Sequence, residues 1–458
     1  MGHREMMSNE LFEQLEPRCL LAGVTLVAHG QADGGLAPWV TGMADVIEDR
    51  IGPGVTRALM TIDNNSGPIT ATLSVSGADP LASATGEIVI AVDWTDLAGG
   101  LFFPSNDTVE VAEAMVSAML NPGALPGFGH ALAELPIHLI GHSRGASLMS
   151  EVARRLGDVG VWVEHLTLQD PYPHPLGSDA SVGVPENVVF ADNIYQSDGF
   201  VSGDPVAGAV NRSLPVLSGG YGTNHSDVHL WYHATIDDIG SAHDGEAGIS
   251  DANRDSWYAA GEGRGSTTGF YYSRLIGGDR PDAGVHTVVG GAGSRQSLSD
   301  TGATWSNIVE LRIDKDLPSV VRSGVPIPID YTWDDADSGS TLTLRIDTDR
   351  NPYNGSAGTI GSIVLGATGG FNTGSATFDW NTHFVGTGTY YVSGEITDGA
   401  TTRYVTLEDS IRFRDIKFAT RIDAYRYQST PMRAEVEPPS EPAASSAPVE
   451  PALVFWMG

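Results

Sequence analysis

Residues 137–145 read Ile-His-Leu-Ile-Gly-His-Ser-Arg-Gly, a short apolar run that passes into a G-x-S-x-G pattern around Ser143. The segment that follows is typical of a helix, with an apolar face formed by Leu148, Met149, Val152 and Leu156. Glycines on both sides of the serine permit a sharp strand-to-helix turn, so its hydroxyl is expected above the edge of a sheet. The helix N-terminus would direct amide hydrogens toward a developing oxyanion. We therefore predict that Ser143 is a nucleophile; the alternative is an ordinary strand–helix turn.

The sequence around Ser143 predicts an α/β fold, because short apolar runs alternate with amphipathic stretches. The predicted strands are 24–28, 87–92, 136–140, 165–169, 187–191 and 214–217, with a hairpin over 58–75. The predicted helices are 39–51, 108–120 and the segment after residue 145. Together they predict a mostly parallel sheet flanked by helices, in a domain over residues 23–300.

The last part of this domain, at about 240–300, is rich in Gly, Ser and Asp. We expect an extension, beside the mouth of the site or as a surface addition. The aromatic residues expected to pack it are Trp257, Tyr258, Phe270, Tyr271 and Tyr272.

A nucleophilic serine needs a base, and the base needs an orienting acid. Asp170 directly follows the predicted strand 165–169 and is the predicted acid. Asp198, in the segment after the next strand, is the alternative, and Asp192 and Asp204 are weaker candidates.

The predicted base is His225, placed on a loop just before a helix that Ser226 would cap and that would run to Asp237. His229, one turn further along, is the alternative base, and His233 follows at the same spacing. These three histidines could instead form a metal cluster with Asp227. For the oxyanion we predict the backbone N–H groups of Arg144 and of Gln31, which follows the first strand. Gly30, the residue before it, would allow the backbone to approach a substrate closely.

Three runs, at 87–94, 137–143 and 166–171, resemble the α/β-hydrolase lipases of the pancreatic and lipoprotein lipase type. Those lipases have a V-D-W strand end, an I-H-L-I-G-H-S turn and an L-D-P acid in this order, and residues 187–199 resemble the strand that follows. The resemblance covers about 24–240. It implies an α/β-hydrolase fold, the triad Ser143, Asp170 and His225, and hydrolysis of ester or lipid substrates with no cofactor. The chain departs from the family in having Arg144 where an apolar residue is usual.

From about residue 317 the sequence changes to short alternating strands separated by Gly, Asn and Asp turns, which predicts an antiparallel β-sandwich over 317–416. At 388–391 and 397–399 it resembles the immunoglobulin-like modules of bacterial surface proteins. Acidic residues in its turns could bind Ca²⁺, although the glycine and glutamate of an EF-hand loop are missing. These acids are Asp334, Asp335, Asp337, Asp347 and Asp349.

The chain has 458 residues, and 57 Asp and Glu against 25 Lys and Arg give a net charge of −32. Such a surface repels nucleic-acid backbones and anionic lipids. The single Cys19 excludes an internal disulfide and a thiolate metal cluster. No stretch reaches the roughly 18 apolar residues that a membrane helix needs.

The two ends of the chain differ from the rest. Residues 1–22 form a predicted leader, in which 15–22 resemble the LEPR-x-LL segment of large exported or surface-associated bacterial proteins. Residues 430–458 are rich in Pro, Glu, Ala and Ser, which predicts a mostly disordered tail. We therefore expect a secreted or surface-linked bacterial ester hydrolase; the alternative is a non-catalytic surface adhesion or scaffold protein that carries an inactive hydrolase-like domain.

Overall fold

The computed structural model describes residues 22–414 except 32–34, 66, 100–105, 239, 259–264, 287–294, 300–302, 314–319, 336–338, 370 and 408. The predicted tail, the predicted leader before Ala22, and Asp337 of the acidic turns lie outside the described residues. The described residues all belong to one compact unit.

The main sheet has eight strands in the order β3-β2-β4-β1-β5-β6-β7-β8, and only β3 runs antiparallel to its neighbour. Its strands are β1 (Gly23–Ala28), β2 (Thr56–Asp63), β3 (Thr70–Gly77), β4 (Glu87–Asp93), β5 (Ile137–His142), β6 (Val163–Gln169), β7 (Val188–Tyr195) and β8 (Val210–Ser213). The central strands are buried on both faces and are accordingly continuous apolar runs in the sequence.

Helices cover both faces of this sheet, which confirms the predicted mostly parallel sheet flanked by helices. The helices are α1 (Pro38–Ile51), α2 (Thr95–Ala98), α3 (Thr108–Leu120), α4 (Arg144–Asp158), α5 (Asn224–Ile236) and α6 (Asp251–Trp257). The apolar sides of α3 and α4 share one core with the sheet, whereas α1 and α5 belong to the core on the other face.

Two predicted boundaries near the end of the sheet are wrong. The last strand is β8, not 214–217: Leu214 N–H still donates to Tyr195 O at 2.7 Å, but Pro215 has no N–H with which to continue the ladder. Helix α5 begins at Asn224, before Ser226, because Thr223 takes the extended N-cap conformation. His225 therefore lies in the first turn of the helix and not on the loop before it.

The predicted extension forms a short hairpin of β9 (Ala242–His243) and β10 (Gly248–Ile249), then α6 and two single turns of 3₁₀ helix. Trp257, Tyr258 and Phe270 are buried in the core with α1 and α5, and Tyr271 and Tyr272 are partly exposed. Beyond them, Arg274 Nη2 donates to the fully buried Glu87 Oε2 at 2.6 Å. This buried ion pair fixes the extension to β4.

The described residues between 307 and 414 form two largely antiparallel sheets around a single core; we call them the antiparallel region. The first sheet has the order β11-β13-β16, and the second β12-β19-β17-β14-β15 with β18 paired to β17. The strands are β11 (Asn307–Ile313), β12 (Val320–Arg322), β13 (Ile327–Asp334), β14 (Thr341–Asp347), β15 (Gly358–Val364), β16 (Gly374–Trp380), β17 (Gly388–Thr397), β18 (Thr402–Thr406) and β19 (Ile411–Arg414). The region thus begins at Asn307, before the predicted boundary at 317.

The antiparallel region packs against the edge of the main sheet at which the parallel strands begin. Arg403 of β18, which is buried, donates to Leu135 O at 3.0 Å and to Trp162 O at 2.9 Å, just before β5 and β6. Asn351 Nδ2 donates to Pro80 O at 2.9 Å, ahead of β4. The opposite edge, where the strands end, is therefore free of these contacts.

Candidate active site

Ser143 occupies the turn between β5 and α4 in a backbone conformation rare for a non-glycine residue, with φ 58° and ψ −125°. The two flanking glycines are required by close packing. A Cβ at Gly141 would lie 2.3 Å from Gly145 O, and a Cβ at Gly145 would lie 2.4 Å from His29 O. Only hydrogen at both positions lets the helix approach the sheet closely enough to hold the strained serine.

Asp170 directly follows β6, at the same edge of the sheet as Ser143. It also has a positive φ, 45°, and it is fully buried. Its carboxylate accepts hydrogen bonds from Gln196 N at 2.9 Å, Gln196 Nε2 at 3.1 Å and Gly203 N at 2.9 Å. A Cβ at Gly203 would lie 2.7 Å from Asp170 Oδ1, so glycine is needed for that contact. The residues after β7 therefore hold the acid in place.

His225 completes a hydrogen-bonded pair with this acid. Its Nδ1 lies 2.5 Å from Asp170 Oδ2, and its side chain is 17% exposed. The ring lies beside that of His142, the residue before Ser143, with 4.5 Å between ring centroids. Because Asp170 engages Nδ1, Nε2 is the nitrogen that can accept a proton from a serine hydroxyl.

The alternative acids lie elsewhere. Asp198 and Asp204 are exposed. Asp192 is buried in β7, where its Oδ1 is 2.9 Å from His165 Nε2 and accepts from Thr167 Oγ1 at 2.7 Å. Burial raises the pKa of Asp192 to about 7. None of the three is a hydrogen-bond partner of His225 in the part of the chain that the structure describes.

The alternative base, His229, has its own acid. Its Nδ1 lies 3.4 Å from Asp244 Oδ2, its ring stacks on Trp39 at 4.3 Å, and burial lowers its pKa. His233, one turn further, is fully buried, and burial lowers its pKa to about 4. Within the described ranges, no group of three or more His, Cys, Asp or Glu side chains is arranged to hold a metal ion. Of the three histidines on the predicted face, His225 and His229 thus face different acids, Asp170 and Asp244.

The oxyanion candidates flank the serine. Gly30, at the end of β1, faces Ser143 so closely that a Cβ there would lie 2.9 Å from Ser143 Oγ. Gln31 comes next and is partly buried. Arg144 N–H is the first amide of α4, a position at which a helix offers no carbonyl four residues earlier as a partner. Gly30, which precedes Gln31, and Arg144 thus both adjoin the serine, and the assignment of their neighbouring N–H groups to an oxyanion stays a prediction.

The side chain of Arg144 has a role that sequence reasoning missed. It is buried, and it forms two hydrogen bonds with Asp179, from Nε at 2.7 Å and from Nη2 at 2.6 Å. It also donates to Ala98 O at 2.6 Å and to Asn106 O. Burial alone would raise the pKa of Asp179, but the hydrogen bonds and charge of Arg144 bring it below its ordinary value. The arginine thus joins the loops after β4 and β6 to the turn that carries the nucleophile.

The acidic turns of the antiparallel region bind protein donors. Asp334 accepts from Trp162 Nε1 at 3.0 Å, and Asp335 accepts from Ser306 Oγ at 3.0 Å. Asp347 accepts from Ser356 Oγ at 2.7 Å, and Asp349 from Asn354 Nδ2 at 2.8 Å. These carboxylates therefore have structural contacts that need no cation.

No family model matches the sequence, and no curated protein matches it significantly. Several solved structures share weak similarity. The CARDB domain of a Pyrococcus furiosus protein has 13% identity over 24% of this chain and 87% of its own, with a TM-score of 0.17. A chitin-binding domain from Burkholderia pseudomallei has 16% identity over 21% and 56%, with a TM-score of 0.16. Catalytically inactive OgpA from Akkermansia muciniphila has 10% identity over 85% and 92%, with a TM-score of 0.18. Similarities this low carry no argument about fold or function.

Among the residues that the structure describes, no helix combines the length and apolar character needed to cross a bilayer.

Proposed function

We propose that the protein is a serine hydrolase of the α/β-hydrolase fold that cleaves carboxylic esters through an acyl-enzyme. The observation that carries the proposal is the combination of a strained serine at a strand-to-helix turn with a hydrogen-bonded His225–Asp170 pair at the same edge of the sheet. The order Ser, Asp, His along the chain is the order found in that fold.

In the proposed reaction, Ser143 Oγ attacks the acyl carbon while His225 Nε2 takes the hydroxyl proton. Asp170 holds Nδ1 and stabilises the imidazolium that forms. The backbone N–H groups of Arg144 and Gln31 would stabilise the oxyanion. His225 then gives its proton to the leaving alcohol and activates water to release the acid, so no cofactor takes part.

Esters are preferred as substrates over amides or thioesters because of the resemblance to the lipases at 87–94, 137–143 and 166–171. The buried Arg144 and the lack of disulfides distinguish this chain from them. We infer export or surface attachment from the LEPR-x-LL resemblance at 15–22, and an immunoglobulin-like β-sandwich from the alternating strands of the antiparallel region.

A serine-reactive fluorophosphonate probe and p-nitrophenyl esters from acetate to palmitate test the proposal. We expect labelling and turnover in the wild type, loss of both in Ser143→Ala, and retention of both in Ser76→Ala, which alters an exposed serine on β3. Labelling without ester turnover would exclude the ester substrates. A folded wild type with neither would support the alternative function, a non-catalytic surface scaffold.

A further inference from the structure

The side chain of His142 contacts the backbone carbonyl and the ring of His225, the proposed base. It is the last residue of β5 and is covalently joined to Ser143, and it is only 6% exposed. Its Nε2 lies 2.9 Å from the backbone carbonyl oxygen of His225, and the two rings are 4.5 Å apart at 41°. Since a carbonyl can only accept, Nε2 carries the hydrogen. One side chain therefore links the nucleophile turn to the main chain of the base.

A second set of side chains supports His142 in turn. The ring of His229 meets it edge-on at 4.9 Å, and Trp39 meets it edge-on at 5.6 Å. His229 stacks on Trp39 and faces Asp244, whose carboxylate accepts from Tyr221 OH at 2.7 Å and from a backbone N–H at 2.8 Å. Every neighbour is thus fixed by its own contacts, which leaves His142 little freedom to turn.

The charge of His142 is set by the same surroundings. The titratable groups that face it are His225 and His229 on α5 and His29 after β1. Burial and the proximity of these histidines lower its pKa well below the ordinary value, although the hydrogen bond to His225 acts in the other direction. A neutral His142 keeps one nitrogen as a donor and presents no positive charge to His225.

We propose that His142 is a positioning residue for the base. It holds the first turn of α5 so that His225 Nε2 faces Ser143, and it remains neutral so that the imidazolium formed during turnover has no positive neighbour. The His229–Asp244 pair packs against His142 and so stabilises this contact. This inference rests on the proposed function of Ser143, Asp170 and His225.

Two variants of the full-length chain separate the hydrogen bond from the ring. His142→Gln places an amide donor near the position of Nε2, whereas His142→Phe keeps the ring bulk and removes the donor. We expect kcat of the Phe variant on the best p-nitrophenyl ester to fall about tenfold to a hundredfold, the cost of a misplaced catalytic group, with KM within about twofold. The Gln variant should stay within about threefold of wild type, and its kcat–pH profile should match.

The labelling rate with fluorophosphonate should fall with kcat in the Phe variant, because that reaction also needs the base. Equal losses in both variants, or a raised KM with unchanged kcat, would overturn the proposal. If the Phe variant does not fold, the Gln variant decides alone, since a folded Gln variant with a tenfold loss of kcat contradicts it. A wild type without Ser143-dependent turnover would instead refute the proposed function.

Discussion

Replacement of Arg144 by methionine offers the sharpest test of the packing around the candidate site. The side chains of Arg144 and Asp179 are each only 1% exposed, so removal of the cation would leave a buried carboxylate without its partner. Breaking such a pair typically costs about 3–5 kcal/mol. Asp179 would retain N–H donors from His174 at 2.8 Å and Thr108 at 3.2 Å, which favours the lower end, about 3 kcal/mol.

Thermal unfolding followed by circular dichroism measures this cost. Because the unfolding entropy scales with chain length, at ~2.1 cal/mol/K per residue, a loss of about 3 kcal/mol in a unit of this size should lower the melting temperature by roughly 3–4 °C at pH 7. The pKa of Asp179 is depressed in the folded wild type, so its stabilising contribution is present above the ordinary carboxyl pKa and is lost as pH falls through the folded value. In Arg144→Met the same carboxyl is buried without its cation, and protonation relieves the penalty.

The difference in stability between wild type and Arg144→Met should therefore be largest at pH 7 and become smaller toward pH 4. Asp179→Asn serves as the matched variant. It leaves the arginine charged at both pH values, so its loss of stability relative to wild type should decrease less between pH 7 and pH 4. A melting temperature within about 1 °C of wild type at pH 7, or an Arg144→Met deficit that does not shrink on acidification, would refute this account of the pair.

Three further changes probe other contacts. Asp170→Asn should lower kcat by about a thousandfold or more, because the amide no longer holds His225 in the required tautomer; ester kinetics on the folded variant measure it. Gly30→Ala should lower kcat/KM at least about tenfold, since the new methyl would lie 2.6 Å from Ser143 Cβ. Arg403→Met should reduce unfolding free energy by about 2 kcal/mol or more in urea titration, because the carbonyls of Leu135 and Trp162 lose hydrogen bonds from a buried guanidinium, while kcat of the folded protein stays unchanged.

Matched controls exist for the last two changes. Gly366→Ala adds a methyl with no heavy atom within 4 Å and should leave kinetics unchanged. Arg312→Met removes an arginine whose side chain is 65% exposed and should alter stability by less than about 0.5 kcal/mol. Effects of equal size in a control and its test variant would contradict the specific contacts described for Gly30 and Arg403.

The sequence pattern predicted those strands and helices whose structure follows from the burial pattern of neighbouring residues. The strands around Ser143 are buried on both faces, so they are continuous apolar runs, and helix α3 has the predicted bounds, 108–120. Residues that follow parallel strands meet at one edge of a sheet, and for that reason Ser143 and Asp170 could be assigned to the same region from the sequence alone.

What sequence reasoning missed depends on local backbone geometry at two element ends and on one contact between residues distant along the chain. The N–H of Leu214 pairs with β7 like a strand residue, yet β8 ends at Ser213 because of the proline that follows. The start of α5 depends on the backbone conformation of Thr223. Asp179 is 35 residues from Arg144, and the only sign of it in the sequence was an arginine where the lipases have an apolar residue.

The antiparallel region and the candidate triad lie at opposite edges of the main sheet, where the parallel strands begin and end. This arrangement limits the role that the antiparallel region can have. Arg403 and Asn351 contact the residues just before β4, β5 and β6, while the candidate triad follows the ends of β5 and β6 and the loop after β8. A parallel strand separates its two ends by about 3.3 Å per residue, so the six residues of β5 span about 20 Å. The contacts of Arg403 and Asn351 thus stabilise the sheet from the edge remote from the candidate triad. Removal of the antiparallel region should therefore lower the folding stability of the main sheet and leave substrate preference unchanged. Removal of a substrate-binding module would instead change substrate preference first.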